Sequence, residues 1–272
     1  MHNMVDSLSN WVYQRMIRGQ YFFNKEDVLS AGLHQTNDSL KTALSRLASK
    51  DVIFSPWQNF YVVVPTEYKL KGEVPPPFYI DYLMRYMGRD YYVSGLSAAA
   101  LNGASHQRAM VFQVTVDGGP IRSSVKNGTR LEFTLRNPLQ KAFVVQVKTK
   151  TGYMNVSSAE LTALDIVAGE QKIGGLSRAA EVLSELCESM QWDETKLPLL
   201  EAFSMTIIQR LGYLLEKIGE QNLADSFYSL VQSGKRTMRK TPLKQTVPIS
   251  DSMPIDRRWK IIENYELEID EI

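Results

Sequence analysis

The chain has 272 residues and a net charge of +1, and 44% of its residues are hydrophobic against 22% charged. This length is sufficient for two domains, and this composition is typical of a globular protein. No apolar run approaches the roughly 20 residues of a membrane helix, and the N-terminus lacks the pattern of a secretory signal peptide. Cys187 is the single cysteine, which excludes an internal disulfide framework. The sequence therefore predicts a cytoplasmic protein that does not contact a membrane.

The chain begins with two predicted short helices. They cover residues 9–17 and 25–30, and Gly19 and Gly32 follow them. Glycine directly after a helix suits the left-handed conformation that ends it. A longer helix follows at residues 39–50, where Thr36 or Asn37 can cap the first turn.

This third helix has one apolar and one polar face. Helical spacing places four apolar residues on the same side: Leu40, Ala43, Leu44 and Leu47. The opposite side carries hydroxyl and basic residues. Arginine pairs bidentately with guanine, and small hydroxyl side chains allow close approach to base edges. The residues predicted to contact DNA from this helix are Ser39, Lys41, Thr42, Ser45, Arg46, Ser49 and Lys50.

A β-hairpin is predicted directly after the third helix. Its strands cover residues 51–54 and 60–64, and its turn covers residues 55–59. Three helices and a hairpin within about 65 residues form the layout of a winged helix-turn-helix, whose third helix usually enters the major groove of DNA. Trp57, Gln58 and Asn59 would form the tip of the wing and contact the DNA backbone or minor groove. For Trp57, packing back onto its own domain is an alternative.

The remaining chain predicts a second, larger domain. Residues 67–77 end in three prolines and are predicted to be an extended linker between residues 1–66 and 78–272. Beyond it, strand and helix patterns mix and then become helical, so the predicted class is α+β with a helical C-terminal part. Helices are predicted at 78–87, 97–101, 159–167, 177–190, 199–217 and 223–232, and strands at 91–93, 111–116, 130–135, 143–147, 153–156 and 259–262.

Basic residues are concentrated in the middle of the chain. Side chains alternate between the two faces of a strand, so Arg130, Arg136 and Lys148 are predicted to project outward together, with Arg122 and Lys126 beside them. Such a patch would contact phosphates of nucleic acid; the alternative is a solvated face. A second basic cluster consists of Lys235, Arg236, Arg239, Lys240 and Lys244.

Residues for catalysis or metal binding are scarce. His2, His34 and His106 are scattered along the chain, and we expect no catalytic residue, metal site or cofactor. A nuclease arrangement could be imagined from Asp117 with Lys148, but Gln146 stands where a metal-binding carboxylate would be needed.

The segment from Asp90 to Arg108, followed by Val111-Phe-Gln-Val-Thr-Val116, is distinctive. It resembles the start of the C-terminal domain of the AbiEi antitoxins, which belong to bacterial type IV toxin–antitoxin systems associated with abortive phage infection. The resemblance implies an N-terminal domain that represses its own operon. It also implies a second domain that neutralises a nucleotidyltransferase-like toxin, so the implied partners are operator DNA and that toxin.

Two hypotheses follow from the sequence. The first is a non-catalytic DNA-binding repressor with antitoxin activity. The second is a nucleic-acid-processing enzyme that a winged helix recruits. The missing carboxylates favour the first.

Overall fold

The structure is a computed structural model that describes residues 3–33, 36–69, 74–104, 111–126 and 129–268. Its first unit contains three helices and a small antiparallel sheet. The helices are α1 (Asn3–Ile17), α2 (Lys25–Ser30) and α3 (Asn37–Ser49), and the strands are β1 (Phe22–Asn24), β2 (Ile53–Trp57) and β3 (Phe60–Val63). The strand order is β1-β3-β2, with β3 antiparallel to both neighbours.

Local signals in the sequence explain these elements. Asn24 and Asp27 form a reciprocal capping box at the start of α2, and the Thr36 side chain caps α3 by accepting from Ser39 N. Leu40 and Leu44 of α3 are buried against α1 and β3 in one core. The predicted positions of α2 and α3 are confirmed. Strand β1 was not predicted, because three residues between two helices are too short to show an alternating pattern.

The hairpin turn is tighter than predicted. Residues 55–57 continue strand β2 through an irregular register after Phe54, so the turn lies at Gln58 and Asn59. Asn59 has a φ of 58°, in the left-handed region that asparagine tolerates better than most residues.

The described parts of the predicted extended linker, residues 67–69 and 74–77, are packed. They form most of helix α4 (Thr66–Lys69) and of a 3-10 turn at Pro76–Phe78. Tyr68, Val74 and Pro76 are buried, and Tyr68 and Val74 belong to a core that both parts of the chain share. The three prolines therefore lie at the start of a turn that packs on this core, and they do not form an extended spacer between two separate domains.

Aromatic rings join the first unit to helix α5 (Ile80–Tyr86). Phe22 stacks on Tyr82 with ring centroids 4.0 Å apart, and Phe54 meets Tyr79 edge-on at 5.4 Å. On its other side α5 packs against a large sheet, so it lies between the two sheets.

The second unit is built on a six-stranded mixed sheet. Its strands are β4 (Tyr91–Val93), β5 (Val111–Val116), β6 (Ser124–Lys126), β7 (Thr129–Leu135), β8 (Val144–Thr149) and β9 (Gly152–Ser157). Their order is β6-β7-β5-β4-β9-β8. Strands β4, β5, β7, β8 and β9 confirm the predicted pattern, whereas β6 is new.

The two faces of this sheet meet different partners. One face, with Val93, Val114 and Met154, packs on α5 and the first unit. The other face, with Tyr92, packs on the C-terminal helices. These helices are α7 (Ala159–Ala168), α8 (Glu170–Ile173), α9 (Leu176–Leu186), α10 (Leu197–Glu201), α11 (Met205–Lys217) and α12 (Gln221–Ser233). Helix α6 (Gly95–Leu101), which follows β4, packs against α7 and β5.

The sequence predicted one continuous helix at residues 199–217, and this prediction is wrong. It is divided into α10 and α11, because Ser204 adopts an extended conformation and caps α11 through Ile207 N. After α12, two short strands pair in parallel: β10 (Thr241–Pro242) and β11 (Ile261–Ile262).

Trp259 anchors the last segment beneath α11. Its side chain is fully buried, and a Cβ added to Gly212 would lie 2.2 Å from its ring.

We expect Gly212→Ala to lower the free energy of unfolding by about 1–3 kcal/mol through overpacking, although alanine is normally more favourable than glycine in a helix by about 1 kcal/mol. Urea unfolding measures the change. Ser226→Ala at an exposed position of α12 is the control, with an expected change within about 0.5 kcal/mol; a stabilised Gly212→Ala protein would contradict this packing.

Candidate nucleic-acid interface

Helix α3 presents the polar face that the sequence predicted. Ser39 is half-buried, and the other six residues proposed for this face are exposed: Lys41, Thr42, Ser45, Arg46, Ser49 and Lys50. Among the residues that the structure describes, no acid forms an ion pair with the three basic side chains of this face. Their charges are therefore available to an anion.

The hydroxyl groups on this face are held against the helix. The Thr42 hydroxyl donates to the Asp38 carbonyl at 3.0 Å, and the Ser49 hydroxyl donates to the Arg46 carbonyl at 2.9 Å. With their hydrogens used in this way, both oxygens can accept a bond from a donor outside the helix. The face therefore carries long, positively charged side chains beside short hydroxyl groups that can accept hydrogen bonds.

The tip of the hairpin is turned toward the second unit. Trp57 is half-buried and meets Phe133 of β7 edge-on, with ring centroids 6.1 Å apart. The Pro56 carbonyl accepts a bond from the Ser124 hydroxyl at 3.2 Å. The Trp57 ring therefore packs on the neighbouring sheet, whereas the alternative predicted from the sequence was packing on its own domain. The Gln58 side chain stays exposed, and Asn59 is half-buried.

Arg136 is not part of a surface patch, so this prediction is wrong. Its Nη2 donates to Asp165 Oδ1 of α7 at 2.6 Å, and its guanidinium lies over the Phe203 ring at 4.3 Å. The Tyr92 hydroxyl donates to Asp165 Oδ2 at 3.2 Å. Burial raises the pKa of the Asp165 carboxyl to about 6, while Arg136 acts in the opposite direction. The charge of Arg136 is thus used inside the fold.

Lys148 also fails to join the predicted patch. It is exposed on β8, four strands from β7 in the sheet order. At about 4.8 Å between neighbouring strands, this separates it from Arg130 by roughly 19 Å. The alternation of side chains was predicted correctly, but alternation does not give the order of strands in a sheet.

The remaining basic residues lie at the other edge of the sheet. Arg130 and Arg122 are exposed, and Arg122 precedes Ser124, which bonds the hairpin. Strand β6 includes Lys126, whose side chain lies outside the described set. Arg122 therefore neighbours the first unit at this edge of the sheet.

The distinctive segment after Asp90 forms a tight junction between strand and helix. The Gln113 side chain accepts from Leu96 N at 2.7 Å, and the Ser97 hydroxyl accepts from Gln113 N at 3.0 Å. Gly95 has a φ of 55° and leaves no room for a Cβ beside Gln113. These residues join α6 to β5, so their role is structural. His106, Gln107 and Arg108, like His2 and His34, lie outside the described residues.

The geometry gives no support to a nuclease centre. Asp117 follows β5, whereas Lys148 lies on β8, three strands away, and Asp117 Oδ1 accepts from Asp90 N. Within the described ranges, His, Cys, Asp and Glu side chains form no group of three or more that could hold a metal ion.

Over the same ranges, every helix is too short or too polar to cross a membrane.

Comparison with known proteins identifies the class of the second unit. Residues 92–217 match the family model described as the AbiEi antitoxin C-terminal domain, so this part of the chain has the fold of an antitoxin from a toxin–antitoxin system. More narrowly, the match supports an antitoxin of the AbiEi family, which is a family of antitoxins and not of enzymes. No curated protein that was compared matches the chain.

A solved structure shares the fold of both units. The crystal structure of the RV2827C protein from Mycobacterium tuberculosis superimposes with a TM-score of 0.62. The two chains are 15% identical, and the match covers 92% of this chain and 88% of the other. The arrangement of the first unit on the second therefore also occurs in a distant protein.

Sequence reasoning missed the partners of Arg136. Asp165 lies in α7, where Glu160 is the only other charged residue. A carboxylate in so apolar a helix was a signal that a cation of another element lies opposite.

Proposed function

We propose that the chain is the antitoxin of a type IV, AbiE-like toxin–antitoxin system and that it also represses its own operon. Residues 1–66 would bind operator DNA, and the AbiEi domain would neutralise a nucleotidyltransferase-like toxin. The observation that carries the DNA-binding part is the exposed face of α3, whose basic residues pair with no described acid.

The proposal assigns the first unit to the winged helix-turn-helix class. The order of its elements, with β1 between the first two helices and a hairpin after the third, supports this assignment. The small antiparallel sheet also supports it. In this arrangement α3 would be the recognition helix. The hairpin would serve mainly to fix α3 on the second unit, because Trp57 is occupied by Phe133.

The antitoxin part of the proposal rests on the family of residues 92–217. An antitoxin implies a toxin partner, and the resemblance of the segment from Asp90 onward favours a nucleotidyltransferase-like toxin. Localisation in the cytoplasm and a role in phage defence follow from the same proposal.

Substitutions on α3 test the DNA-binding part. We expect Arg46→Ala to weaken binding to the operator by about 1–3 kcal/mol and to relax specificity, because arginine reads guanine through two hydrogen bonds. Lys41→Ala and Lys50→Ala should weaken binding to all duplexes about equally, since lysine would contact phosphate. Fluorescence anisotropy with operator and unrelated DNA measures both effects.

The same variants separate the two proposed activities. In cells, Arg46→Ala in the full chain should relieve repression of the promoter and still protect against the toxin. Unchanged operator affinity would refute the assignment of α3, and loss of protection would refute independent activities.

A charge reversal at the edge of the sheet tests the second patch. We expect Arg122→Glu to reduce the log–log salt dependence of operator binding by about 0.9 for each phosphate contact that is lost. Lys148→Glu is the matched control, because Lys148 is equally exposed but lies at the far edge. Titrations across a salt series measure the slope. If both variants keep the wild-type slope, the residues around Arg122 are only a solvated face.

A further inference from the structure

A cleft lies where the C-terminal segment crosses α11, on the helical side of the large sheet. Its volume is about 550 Å³, within the roughly 300–1,000 Å³ of most small-molecule sites. The lining consists of Tyr213 and Lys217 of α11, Met253, Pro254 and residues 263–267. Most of these residues follow the region 92–217 that matches the antitoxin family, so the cleft is built largely by a part of the chain outside that match.

The wall formed by the C-terminal segment is held in place by the Asn264 side chain. Its Oδ1 accepts from Lys244 N at 3.0 Å, and its Nδ2 donates to the carbonyls of Lys244 and Val247, both at 2.8 Å. Glu263 N donates to the Pro254 carbonyl at 2.9 Å. Asn264 is only 6% exposed, so its bonds are shielded from water. The wall is therefore fixed before any ligand arrives.

One end of the cleft is polar. The Tyr213 hydroxyl donates to Glu263 Oε1 at 2.9 Å, and Lys217 Nζ lies 3.3 Å from the same oxygen. Burial and then Glu263 raise the pKa of Tyr213, so the hydroxyl keeps its proton and remains the donor. Both contacts use Oε1, and within the described ranges Oε2 has no bond to the protein. This second oxygen is available to a donor from a ligand.

The charge of the cleft is slightly negative. Glu266 lines it, is exposed, and forms no ion pair with a described residue. The lining thus holds the carboxylates of Glu263 and Glu266 against the single ammonium group of Lys217. Beside the lining, Asp256 and Lys244 carry opposite charges and offset each other. The excess carboxylate favours a cation over an anion.

The other part of the lining is aromatic and apolar. The Tyr265 ring is half-buried, and Lys244 Nζ lies over it at 4.0 Å without itself lining the cleft. Lys217 Nζ lies 5.0 Å from the centre of the Tyr213 ring. Ring faces attract cations at such distances, so ammonium groups of the chain itself already use both rings. Apolar side chains complete this part: Met253, Pro254 and Leu267.

We propose that this cleft binds a small amphipathic amine. Its ammonium group would meet the carboxylates of Glu263 and Glu266, and its apolar body would pack on Tyr265 and the apolar side chains beside it. A carboxylate ligand would meet like charge, and a neutral apolar ligand would cover the carboxylates without pairing them. This is a ligand site in addition to the proposed DNA-binding and antitoxin activities, and it does not depend on either of them.

Three probes of nearly equal shape test the charge that the cleft prefers. They are phenethylamine, which is a cation, 2-phenylethanol, which is neutral, and 3-phenylpropanoate, which is an anion. Isothermal titration calorimetry with the full chain measures each affinity. We expect phenethylamine to bind, and the alcohol and the carboxylate to bind at least tenfold more weakly.

Two acidic residues of the same segment provide a matched pair of variants. Glu266 and Glu268 are both exposed, but only Glu266 lines the cleft. Glu266→Gln should weaken phenethylamine binding about three- to fivefold, because an exposed charge pair is lost, while Glu268→Gln binds like wild type. Tyr265→Leu should weaken binding about two- to fivefold, and Tyr265→Phe should retain it, because the ring and not the hydroxyl attracts the cation.

Several results would overturn this assignment. Tighter binding of 3-phenylpropanoate would mean that the cleft takes anions through Lys217, and equal binding of all three probes would mean that charge is not recognised. An equal effect of Glu266→Gln and Glu268→Gln, or none from either, would place the amine elsewhere. Circular dichroism verifies that each variant is folded. Where Tyr265→Leu does not fold, Glu266→Gln decides, because its position is exposed.

Discussion

A fragment that begins at Phe78 is expected to be less stable than the full chain by more than about 5 kcal/mol, because each buried aromatic or aliphatic side chain contributes roughly 1.5–3 kcal/mol. The cut removes Phe54, Phe60 and Val62 from the core that they share with α5 and the large sheet. It also exposes Tyr79, which is only 2% exposed in the full chain.

This loss is comparable to the total stability of many domains, about 5–15 kcal/mol. The fragment should therefore aggregate or unfold at low urea concentration, as measured by circular dichroism and by binding of a hydrophobic dye. Tyr82→Ala in the full chain is the milder control, because Tyr82 is 36% exposed and contacts Phe22 in one stacked pair. A fragment with the wild-type unfolding midpoint would show that the two units are energetically independent.

Substitution of Arg136 by alanine should lower the free energy of unfolding by about 3–5 kcal/mol near neutral pH, because it leaves a buried carboxylate without its cation. The remaining partner, the Tyr92 hydroxyl at 3.2 Å from Asp165, cannot neutralise that charge. Loss of contact with the Phe203 ring adds to the effect.

The effect of Arg136→Ala should depend on pH. Burial raises the pKa of Asp165 to about 6, above the roughly 3.9 of an unfolded aspartate. Between these values the folded chain binds the proton more tightly than the unfolded chain, so stability falls as pH rises. Without Arg136 the pKa rises further, so the loss should be largest at about pH 8 and smaller at about pH 5, where Asp165 is protonated.

Urea unfolding at both pH values measures this dependence. Arg130→Ala, at an exposed position of β7, should change stability by less than about 0.5 kcal/mol. Arg136→Met combined with Asp165→Asn should recover much of the loss, because neither buried charge remains. An equal loss at both pH values would mean that Arg136 acts through packing and not through the charge of Asp165.

The sequence predicted local structure well where one signal decided it. The cap at Thr36 and the apolar spacing from Leu40 to Leu47 located α3. The apolar runs located β5 and β7, and alternation along β7 assigned its side chains to two faces. In each case the information lies in neighbouring residues, so it can be read without knowing the rest of the fold.

Features that depend on distant parts of the chain were not predictable in this way. Arg136 has the same pattern of neighbours as an exposed arginine, and only the position of α7 over β7 gives it Asp165 as a partner. Lys148 and Arg130 are separated because β5, β4 and β9 lie between their strands. The proline segment looked like a spacer, since its polar residues gave no sign that Tyr68 and Val74 would be covered.

The contact between Trp57 and Phe133 has a mechanical consequence. Together with the rings around α5, it joins α3 to the edge of the sheet that carries Arg122 through a continuous set of packed side chains among the described residues. If both surfaces contact an operator, a change in the distance between them would break this packing, so we expect the DNA to supply any bending that is needed. The spacing of contacts along the duplex is then set by a protein core and not by the length of a tether.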